Sequence, residues 1–472
     1  MASLTEQFHP QHWSFLKNLA NACHAKNGTA YLVGGCVRSG LLGETVNDFD
    51  LEVFGLPPDV LETVLESVAR VKRVGKAFGI YKLEGWPIDV GLPRRERRSG
   101  IRHRDFSIDI IPDMSLEEAA RRRDFRMNAI YYDIRKEKIL DPLGGLLDLE
   151  NRALRHCSPR FSEDPLRVLR GMQLAARIPA TVAPDTLELC RQLTPESLSP
   201  ERFFGEWEKL ILYGRSPSNG LAFLKACDWT RFFPELHAMI GCEQDPQWHP
   251  EGDVWDHTLH CMDAFSKGRT GIRDDDLAVG LAVLCHDMGK PLTTERHESK
   301  IRSHGHESAG VKPARRFLEQ LRVSGRLTEV ILPLIKCHMR PGVLFEQKSS
   351  ASAIRRLARD CGQLDLLLRV FQADSAGRPP LPDESGKAVQ WLTNRARELE
   401  VSRSGPKPIL KGTDLLQRGW QSGPKLGRFL NAAYEAQLDG SFTSREEALQ
   451  WLDDQLDGKS SVKPTHCDDA VS

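Results

Sequence analysis

The sequence predicts a mixed α/β domain followed by a long all-α body. Three observations carry that class. Short apolar runs alternate with helical stretches between residues 30 and 91, strand signals fade after about residue 150, and helical patterns then continue to about 457. At roughly 150 residues per domain, the 472 residues allow about three domains, more chain than one core needs.

Apolar residues at helical spacing within 5–26 (Phe8, Phe15, Leu16, Leu19 and Ala20) predict the first helix. Ala30 to Val33 then reads as a strand ending in Gly34-Gly35. A helix at 36–42, a strand at 48–54, a helix after Pro57-Pro58, and strands near 79–84 and 87–91 complete the alternation. Breaks at 376–386, with three prolines, and at 402–408 interrupt the helical body. From Gly458 the chain is polar and aperiodic, so a disordered tail is expected. The resulting organisation is an N-terminal helix (1–28), an α/β catalytic domain (29–150), a helical neck (151–240), a second helical domain (241–400), a small C-terminal helical domain (401–457) and the tail (458–472).

Composition excludes several classes. The longest apolar run, Leu277 to Cys285, is too short for a bilayer, and the first residues lack the basic then apolar pattern of a secretory leader. A cytoplasmic protein without a membrane partner is expected. Eleven cysteines, no two closer than 13 residues, form neither a zinc ribbon nor a disulfide frame and read as reduced, buried thiols. The 65 basic residues balance the 65 acidic ones, yet residues 70–177 hold 24 Lys and Arg against 16 Asp and Glu. An anionic partner is expected on that stretch.

In Asp48-Phe49-Asp50 strand alternation puts both carboxylates on one face while Phe49 points into the core. Two adjacent acids repel unless a cation sits between them, and Mg²⁺ ions bridged by such acids serve phosphoryl transfer. Asp89, on a later strand, can complete the set. Upstream, Gly34-Gly35 and Arg38 let backbone N–H groups and a guanidinium approach a triphosphate, and no Walker-type GxxxxGK[ST] is present.

The stretch Leu32-Val-Gly-Gly-Cys-Val-Arg38, Leu41-Leu-Gly43 and Asp48-Phe-Asp50 closely resembles the opening motif of the class II tRNA nucleotidyltransferases, the CCA-adding enzymes. Arg122-Arg-Asp-Phe125 with Asn128-Ala129 resembles their second motif. Asp141-Pro142, Gly144-Gly145 and Asp148-Leu149 resemble the third. Ser39 stands where the family usually has Asp, and Arg126-Met127 where it has Thr and an aliphatic residue.

A helix start is predicted in Ser162-Glu-Asp164-Pro-Leu-Arg167-Val-Leu-Arg170, from a Ser that can cap, early acids and an early proline. Asp164 and Arg167 would share a helix face, either as an ordinary ion pair or as a recognition edge. Asp accepts and Arg donates hydrogen bonds, so the pair fits the amino and ring-nitrogen edge of cytosine or adenine and mismatches guanine and uracil. In the family this EDxxR motif is the protein template, and Glu201-Arg202 resembles a motif supporting that pocket. Between Arg94 and Arg104 lie six arginines with Gly100 as a hinge, read as a basic loop. The family has a flexible loop there, associated with adding the final A, and an RNA end would supply its anion.

Farther on, His257, His286-Asp287 and Asp374 occur in the order H…HD…D, nitrogen and oxygen donors that suit a divalent transition metal. The pattern resembles the HD phosphohydrolase superfamily. His306 and His338 sit where some members bind a second metal, and His249 is a further cleft candidate. The end of the chain, from Ile409 to Gly440, resembles the small helical domain that follows HD domains in bacterial CCA-adding enzymes. The stretch Thr443-Ser444 with Glu446 has helix-cap spacing.

Together these resemblances imply a polymerase-beta-like nucleotidyltransferase head and an all-α body with an HD domain. Asp48, Asp50 and Asp89 would be catalytic, the first two as Mg²⁺ ligands. Gly34, Gly35, Arg38, Arg123, Asp124, Asn128, Asp164, Arg167 and Arg170 would bind nucleotide. Arg94, Arg95, Arg97, Arg98, Arg102 and Arg104 would bind RNA. His257, His286, Asp287 and Asp374 would hold Mn²⁺, Co²⁺ or Ni²⁺. The implied reaction adds CCA to the acceptor end of tRNA from CTP and ATP, with hydrolysis of 2′,3′-cyclic phosphates or 2′-phosphomonoesters at the second site. The alternatives are a poly(A) polymerase, a CC-only or A-only transferase, and an HD phosphohydrolase acting on RNA ends or nucleotides.

Overall fold

The structure, a computed structural model of the chain, describes residues 4–74, 79–98, 106–298 and 300–456. The chain divides into two compact units, Met1–His237 with Glu319–Arg322, and Ala238–Leu318 with Val323–Ser472.

The first unit opens with α1 (Pro10–His24), β1 (Thr29–Val33), α2 (Gly35–Leu41), β2 (Phe49–Phe54), α3 (Pro58–Val68), β3 (Val71–Val74), β4 (Ile80–Leu83) and β5 (Ile88–Gly91). All but β3, which the sequence analysis did not predict, agree with the predicted elements to within a few residues, because each apolar run is bounded by Gly or Pro. Two later strands, β8 (Tyr131–Asp133) and β9 (Lys138–Leu140), complete a seven-stranded sheet of order β3-β4-β5-β2-β1-β8-β9. Only β2 and β5 pair in parallel; the other neighbours in this sheet are antiparallel. In β2, Phe49, Leu51 and Val53 are buried while Asp50 and Glu52 alternate onto the opposite face.

Between β5 and β8 come β6 (Arg94–Arg98), β7 (Phe106–Ile110) and α4 (Leu116–Arg121). The expected basic loop is therefore corrected in its first half: Arg94–Arg98 is a strand in an antiparallel ladder with Phe106–Ile110. The β-branched Ile108 and Ile110 and the aromatic Phe106 give the partner strand its propensity. Arg102, Arg104 and the Gly100 hinge lie outside the described residues.

After α5 (Gly145–Glu150) the first unit becomes helical, with α6 (Leu166–Arg177), α7 (Pro184–Arg191), α8 (Pro200–Tyr213) and α9 (Pro217–Ala226). A close approach of α6 and α9 depends on Gly220, where a Cβ would stand 2.6 Å from the Met172 carbonyl. The second unit is mainly helical. Two small ladders qualify the all-α expectation: Ala153–Leu154 with Thr181–Val182 in the first unit, and Glu295–His297 with Lys300–Arg302 in the second. Both contain only two or three residues per strand, too short for a periodic signal.

The C-terminal helices pack around Leu410, Leu415, Ala433, Phe442, Ala448 and Leu452. The helix Arg445–Leu456 is capped by Ser444, which accepts from the Glu447 N–H. Glu447 accepts in return from the Thr443 and Ser444 N–H groups, so the reciprocating acid is Glu447 and not Glu446. The expected tail from 458 lies outside the described residues. Among the described residues no helix is long and apolar enough to cross a membrane, and the cysteines are free thiols, all buried except the half-buried Cys242.

Candidate functional site

In the first unit the parallel register sets Asp50 of β2 beside Asp89 of β5, and Asp48 immediately precedes β2. Lys82, opposite Asp89 on β4, reaches its Oδ2 at 2.9 Å. Burial in the cleft and the charges of Asp89 and Asp48 raise the Asp50 carboxyl above its ordinary value, against the pull of Arg123. Three oxygen donors, with Asp50 raised in this way, fit a hard divalent cation such as Mg²⁺. Gly34 makes room beside them: its φ is +83°, and a Cβ there would lie 3.4 Å from Asp50 Oδ2. Gly34→Ala is therefore expected to lower nucleotide addition at least tenfold while barely changing RNA binding, which steady-state kinetics and a gel-shift assay on the same protein will read.

A buried chain of polar contacts joins the motifs. Arg38, only 5% exposed, donates from Nη1 to Asn128 Oδ1 at 2.5 Å. Asn128 donates to Asp124 Oδ1 at 3.0 Å, and Arg170 Nε donates to Asp124 Oδ2 at 2.6 Å. Arg38 is thus an interior organiser as well as a candidate phosphate ligand, with its Nε buried and unpartnered. Burial alone would raise the Asp124 carboxyl, but the Arg170 charge, with bonds from Asn128, Arg170 and the Phe125 N–H, holds it well below the usual range. A carboxyl depressed in the folded state contributes stability above its unfolded pKa of about 4, and that contribution is lost as pH falls. Asp124→Asn should therefore flatten the acid side of the stability profile measured by urea unfolding between pH 3 and pH 7. Asp124→Ala should cost roughly 3 kcal/mol by leaving buried partners unpaired.

The sequence reading missed Glu52 and Tyr131. Arg123 donates from Nη2 to Glu52 Oε2 at 2.9 Å, and Tyr131 Oη donates to the same oxygen at 3.0 Å. Strand alternation carried a signal for the first, since Glu52 is two residues after Asp50 and shares its face. For Tyr131, paired across the sheet through β1, the sequence held no signal. The third motif serves the backbone: Asp141 accepts from the Gly145 and Leu146 N–H groups at 2.7 and 2.9 Å and so anchors the start of α5.

The predicted template helix begins later than expected. Asp164 precedes α6 in extended backbone (φ −133°), and its Oδ1 accepts from the Leu166 N–H at 3.1 Å, so Asp164 is the cap that Ser162 was expected to be. Ser158 caps the short turn Pro159–Glu163. Pro165 at the helix entrance fixes the break. Asp164 and Arg167 make no intrahelical pair: Asp164 Oδ2 is held by Arg202 at 2.6 Å, and Arg167 donates to the Arg160 and Arg122 carbonyls, both at 2.6 Å. Three of the five guanidinium N–H donors remain. Each partner is thus oriented separately.

All these residues line one cleft of about 1040 Å³: Gly34, Gly35, Arg38, the three acids, Arg123, Asp124, Asn128, Asp164, Arg167 and Arg170. A second cavity of about 410 Å³, with Lys72, Lys82 and Trp86 in its wall, shares Asp48, Asp50 and Asp89 with the first. Of the arginines expected to contact RNA, Arg94 lines the larger cleft and Arg95 is held by Glu118 at 2.5 Å. Arg97 and Arg98 lie in the strand Arg94–Arg98.

In the second unit, His257 sits on the helix Val254–Lys267, His286 caps the end of Arg273–Cys285, and Asp374 is on Leu364–Ala376. His338 caps the end of Gly325–Cys337. Helix ends explain the geometry, because their last carbonyls need donors. His286 and His338 donate Nδ1–H to the Val283 and Ile335 carbonyls at 2.7 Å, and His306 does so to Ser303 at 2.8 Å. His257 Nδ1 faces Glu251 Oε1 at 2.7 Å and the Gly377 carbonyl at 3.1 Å. A carbonyl only accepts, so each Nδ1 that faces one donates to it, and the ring turns its Nε2 toward the other side chains of the cluster.

The Nε2 atoms of His257 and His286 stand 3.4 Å apart, and those of His306 and His338 stand 3.3 Å apart. Burial and the neighbouring His286 push His338 down to about 4, which keeps its ring neutral. Ring nitrogens gathered at this range beside buried carboxylates make a nitrogen and oxygen donor set that fits a metal. The expected four converge: His257 Nε2 is 3.1 Å from Asp374 Oδ1, and His286 Nε2 is 3.3 Å from Asp287 Oδ2. His306 and His338 group with Asp287, and His249 with Glu251 and His257. Cys261, Glu251 and Lys290 were missed. Lys290 Nζ lies 2.7 Å from Asp287 Oδ2, and Cys261, four residues after His257, shares its helix face.

Residues 30–155 match the poly A polymerase head domain, and residues 254–373 match the HD domain. The chain pairs a nucleotidyltransferase head with an HD domain. Among solved structures it is similar to the Bacillus stearothermophilus CCA-adding enzyme in complex with CTP, with a TM-score of 0.66 and 22% identity over 96% of this chain and 99% of that one. It is also similar to the Thermotoga maritima CCA-adding enzyme complexed with tRNA-CCA, with a TM-score of 0.57 and 19% identity over 96% and 97%. A third, a CCA-adding enzyme complexed with ATP, gives a TM-score of 0.60 and 20% identity over 97% of each chain. The likeness is one of fold: nucleotidyltransferase head, helical body and HD domain.

Proposed function

We propose that the nucleotidyltransferase head rebuilds the 3′-terminal CCA of tRNA from CTP and ATP, and that the HD domain hydrolyses phosphoesters with a divalent transition metal. The observation that carries the first part is the single cleft in which the acid trio, the Arg38–Asn128–Asp124–Arg170 chain and the Asp164 and Arg167 side chains meet. CTP, ATP and tRNA appear in complexes of the structural neighbours, which supports the same partners here.

Asp48, Asp50 and Asp89 would hold Mg²⁺, which supplies Lewis-acid stabilisation of the reacting phosphate. The acids line both cavities, so an incoming nucleotide in the larger and an RNA 3′ end in the smaller would meet at them. The 3′ oxygen attacks the α-phosphorus, its proton is released, and pyrophosphate leaves. Arg123, braced by Glu52 and Tyr131, and Arg38 line the cleft as the cations nearest the glycine turn, where they would meet the polyphosphate. Asp164 and Arg167 read the base edge from separate anchors. At the second site His257, His286, Asp287 and Asp374 would hold a divalent metal ion, which would supply Lewis-acid chemistry for ester hydrolysis.

Asp164→Ala or Arg167→Ala is expected to lower use of CTP and ATP together and to relax rejection of GTP and UTP by about tenfold or more. A four-nucleotide competition assay reads both effects, and unchanged discrimination would remove the pair from base selection. The match of residues 30–155 to the poly A polymerase head domain favours one rival, a poly(A) polymerase. CTP-dependent labelling of a tRNA end distinguishes the two, since that rival needs no CTP.

A further inference from the structure

We propose that Trp86 is a stacking platform for the 3′-terminal base of the RNA, and that Lys82 and Lys72 hold the backbone behind it, in the smaller cavity that shares Asp48, Asp50 and Asp89. This rests on the reading of the head as a nucleotidyltransferase that extends RNA. Register brings the charges into one line. Asp50 of β2 is paired with Asp89 of β5, Asp89 with Lys82 of β4, and Lys82 with Lys72 of β3. Side chains directly opposite one another in neighbouring strands share a face, so two lysines follow two acids across the sheet. Lys82 is steadied by Asp89 at 2.9 Å, whereas the Lys72–Lys82 pair sets like charges opposite each other, which disfavours the ladder unless an anion lies over both. At about 4.8 Å per strand the lysines stand about 5 and 10 Å from Asp89, so a sugar–phosphate chain leading away from the acids passes over them.

Trp86 lies in the turn from β4 to β5, between Lys82 and Asp89 in the sequence. One face of its ring is stacked on Phe15 of α1, with centroids 3.9 Å apart and planes 20° apart, and His12 meets it at 6.1 Å and 72°. The indole is therefore fixed before RNA arrives, and it stays half-buried as part of the cavity wall. The changing substrate favours stacking here over hydrogen-bonded readout. The base at the RNA end differs from one addition to the next, and every base has a π-face, whereas fixed donors and acceptors would reject some ends. Asp164 and Arg167, by contrast, line the larger cleft, where the incoming base is read.

The test measures single-turnover addition of C by the full chain to a tRNA that ends just before CCA, and to the same RNA with its last nucleotide lacking a base. Wild type should need about tenfold more of the baseless RNA for half-maximal rate. Trp86→Ala should need about tenfold more of the intact RNA and show no further loss with the baseless one, while Trp86→Phe keeps most of the wild-type preference. The CTP concentration for half-maximal rate should be unchanged in both variants. Lys72→Gln should weaken RNA binding about threefold and lower its salt slope by about one, and an unchanged slope removes the lysines from the backbone path. Should Trp86→Ala fail to fold, irradiation of wild type bound to RNA ending in a photoreactive thiouridine decides instead. The cross-link is expected at Trp86, and its formation elsewhere overturns the platform. Equal dependence on the base in wild type and Trp86→Ala, or none in wild type, overturns the platform and leaves nucleotidyl transfer standing. No extension of the intact RNA by wild type overturns both.

Discussion

Asp50→Asn should reduce the addition of both C and A by at least about a thousandfold. Asn keeps the shape of the side chain but removes a negative charge from a set whose use depends on gathering a cation between Asp48, Asp50 and Asp89. A thousandfold loss corresponds to about 4 kcal/mol of barrier, within the range that loss of a metal-stabilised transition state produces. The fold should tolerate the change, since replacing Asp50 relieves repulsion by Asp89 and Asp48. Affinity for tRNA should stay within about twofold, because the basic residues around the cleft are untouched. Single-turnover addition with labelled tRNA and filter binding measure the two quantities. Retention of more than about a tenth of the addition rate would remove Asp50 from the metal set.

Replacing both His286 and Asp287 by Ala should abolish phosphoester hydrolysis at the HD domain and leave CCA addition near the wild-type rate. The substitution removes a nitrogen and an oxygen ligand together, and it avoids a buried carboxylate without its histidine. Lys290 keeps its bond to Gln244 at 2.6 Å. The acid trio belongs to the other compact unit, so the nucleotidyl-transfer chemistry has no ligand in common with this site. A 2′,3′-cyclic nucleotide and a 2′-phosphomonoester, each with Mn²⁺, Co²⁺, Ni²⁺ or Zn²⁺, provide the assay. Hydrolysis by the double variant at the wild-type rate, or none by wild type with any of these metals, would make the cluster structural.

Much of the head was legible because its elements are local. Apolar runs closed by Gly34-Gly35 and Pro57-Pro58 define β1 and β2, and alternation within β2 assigns Phe49 to the core and Asp50 to the cleft. The H…HD…D order singled out four residues whose side chains the helices do bring together. What the sequence withheld were relations across long separations. Arg202 reaching Asp164, Tyr131 meeting Glu52, and Arg170 pairing with Asp124 are tertiary contacts with no periodic signature. Local competition misled in two places. Pro165 delayed the start of α6, turning an expected helical ion pair into a cap, and the arginines of 94–98 entered a ladder because Phe106–Ile110 offers a strand partner. Cys261 was passed over although its place four residues after His257 on an expected helix carried a signal.

The central claim is that the head adds C, C and then A to a tRNA 3′ end without a nucleic-acid template. Incubating the full chain with a tRNA that ends just before CCA, Mg²⁺ and each nucleotide in turn, with product length read on a sequencing gel, tests it most directly. The account predicts extension by two residues with CTP alone, by one further residue when ATP is added, and none with GTP or UTP. A long tract formed from ATP alone, or no extension with CTP and ATP together, would contradict it.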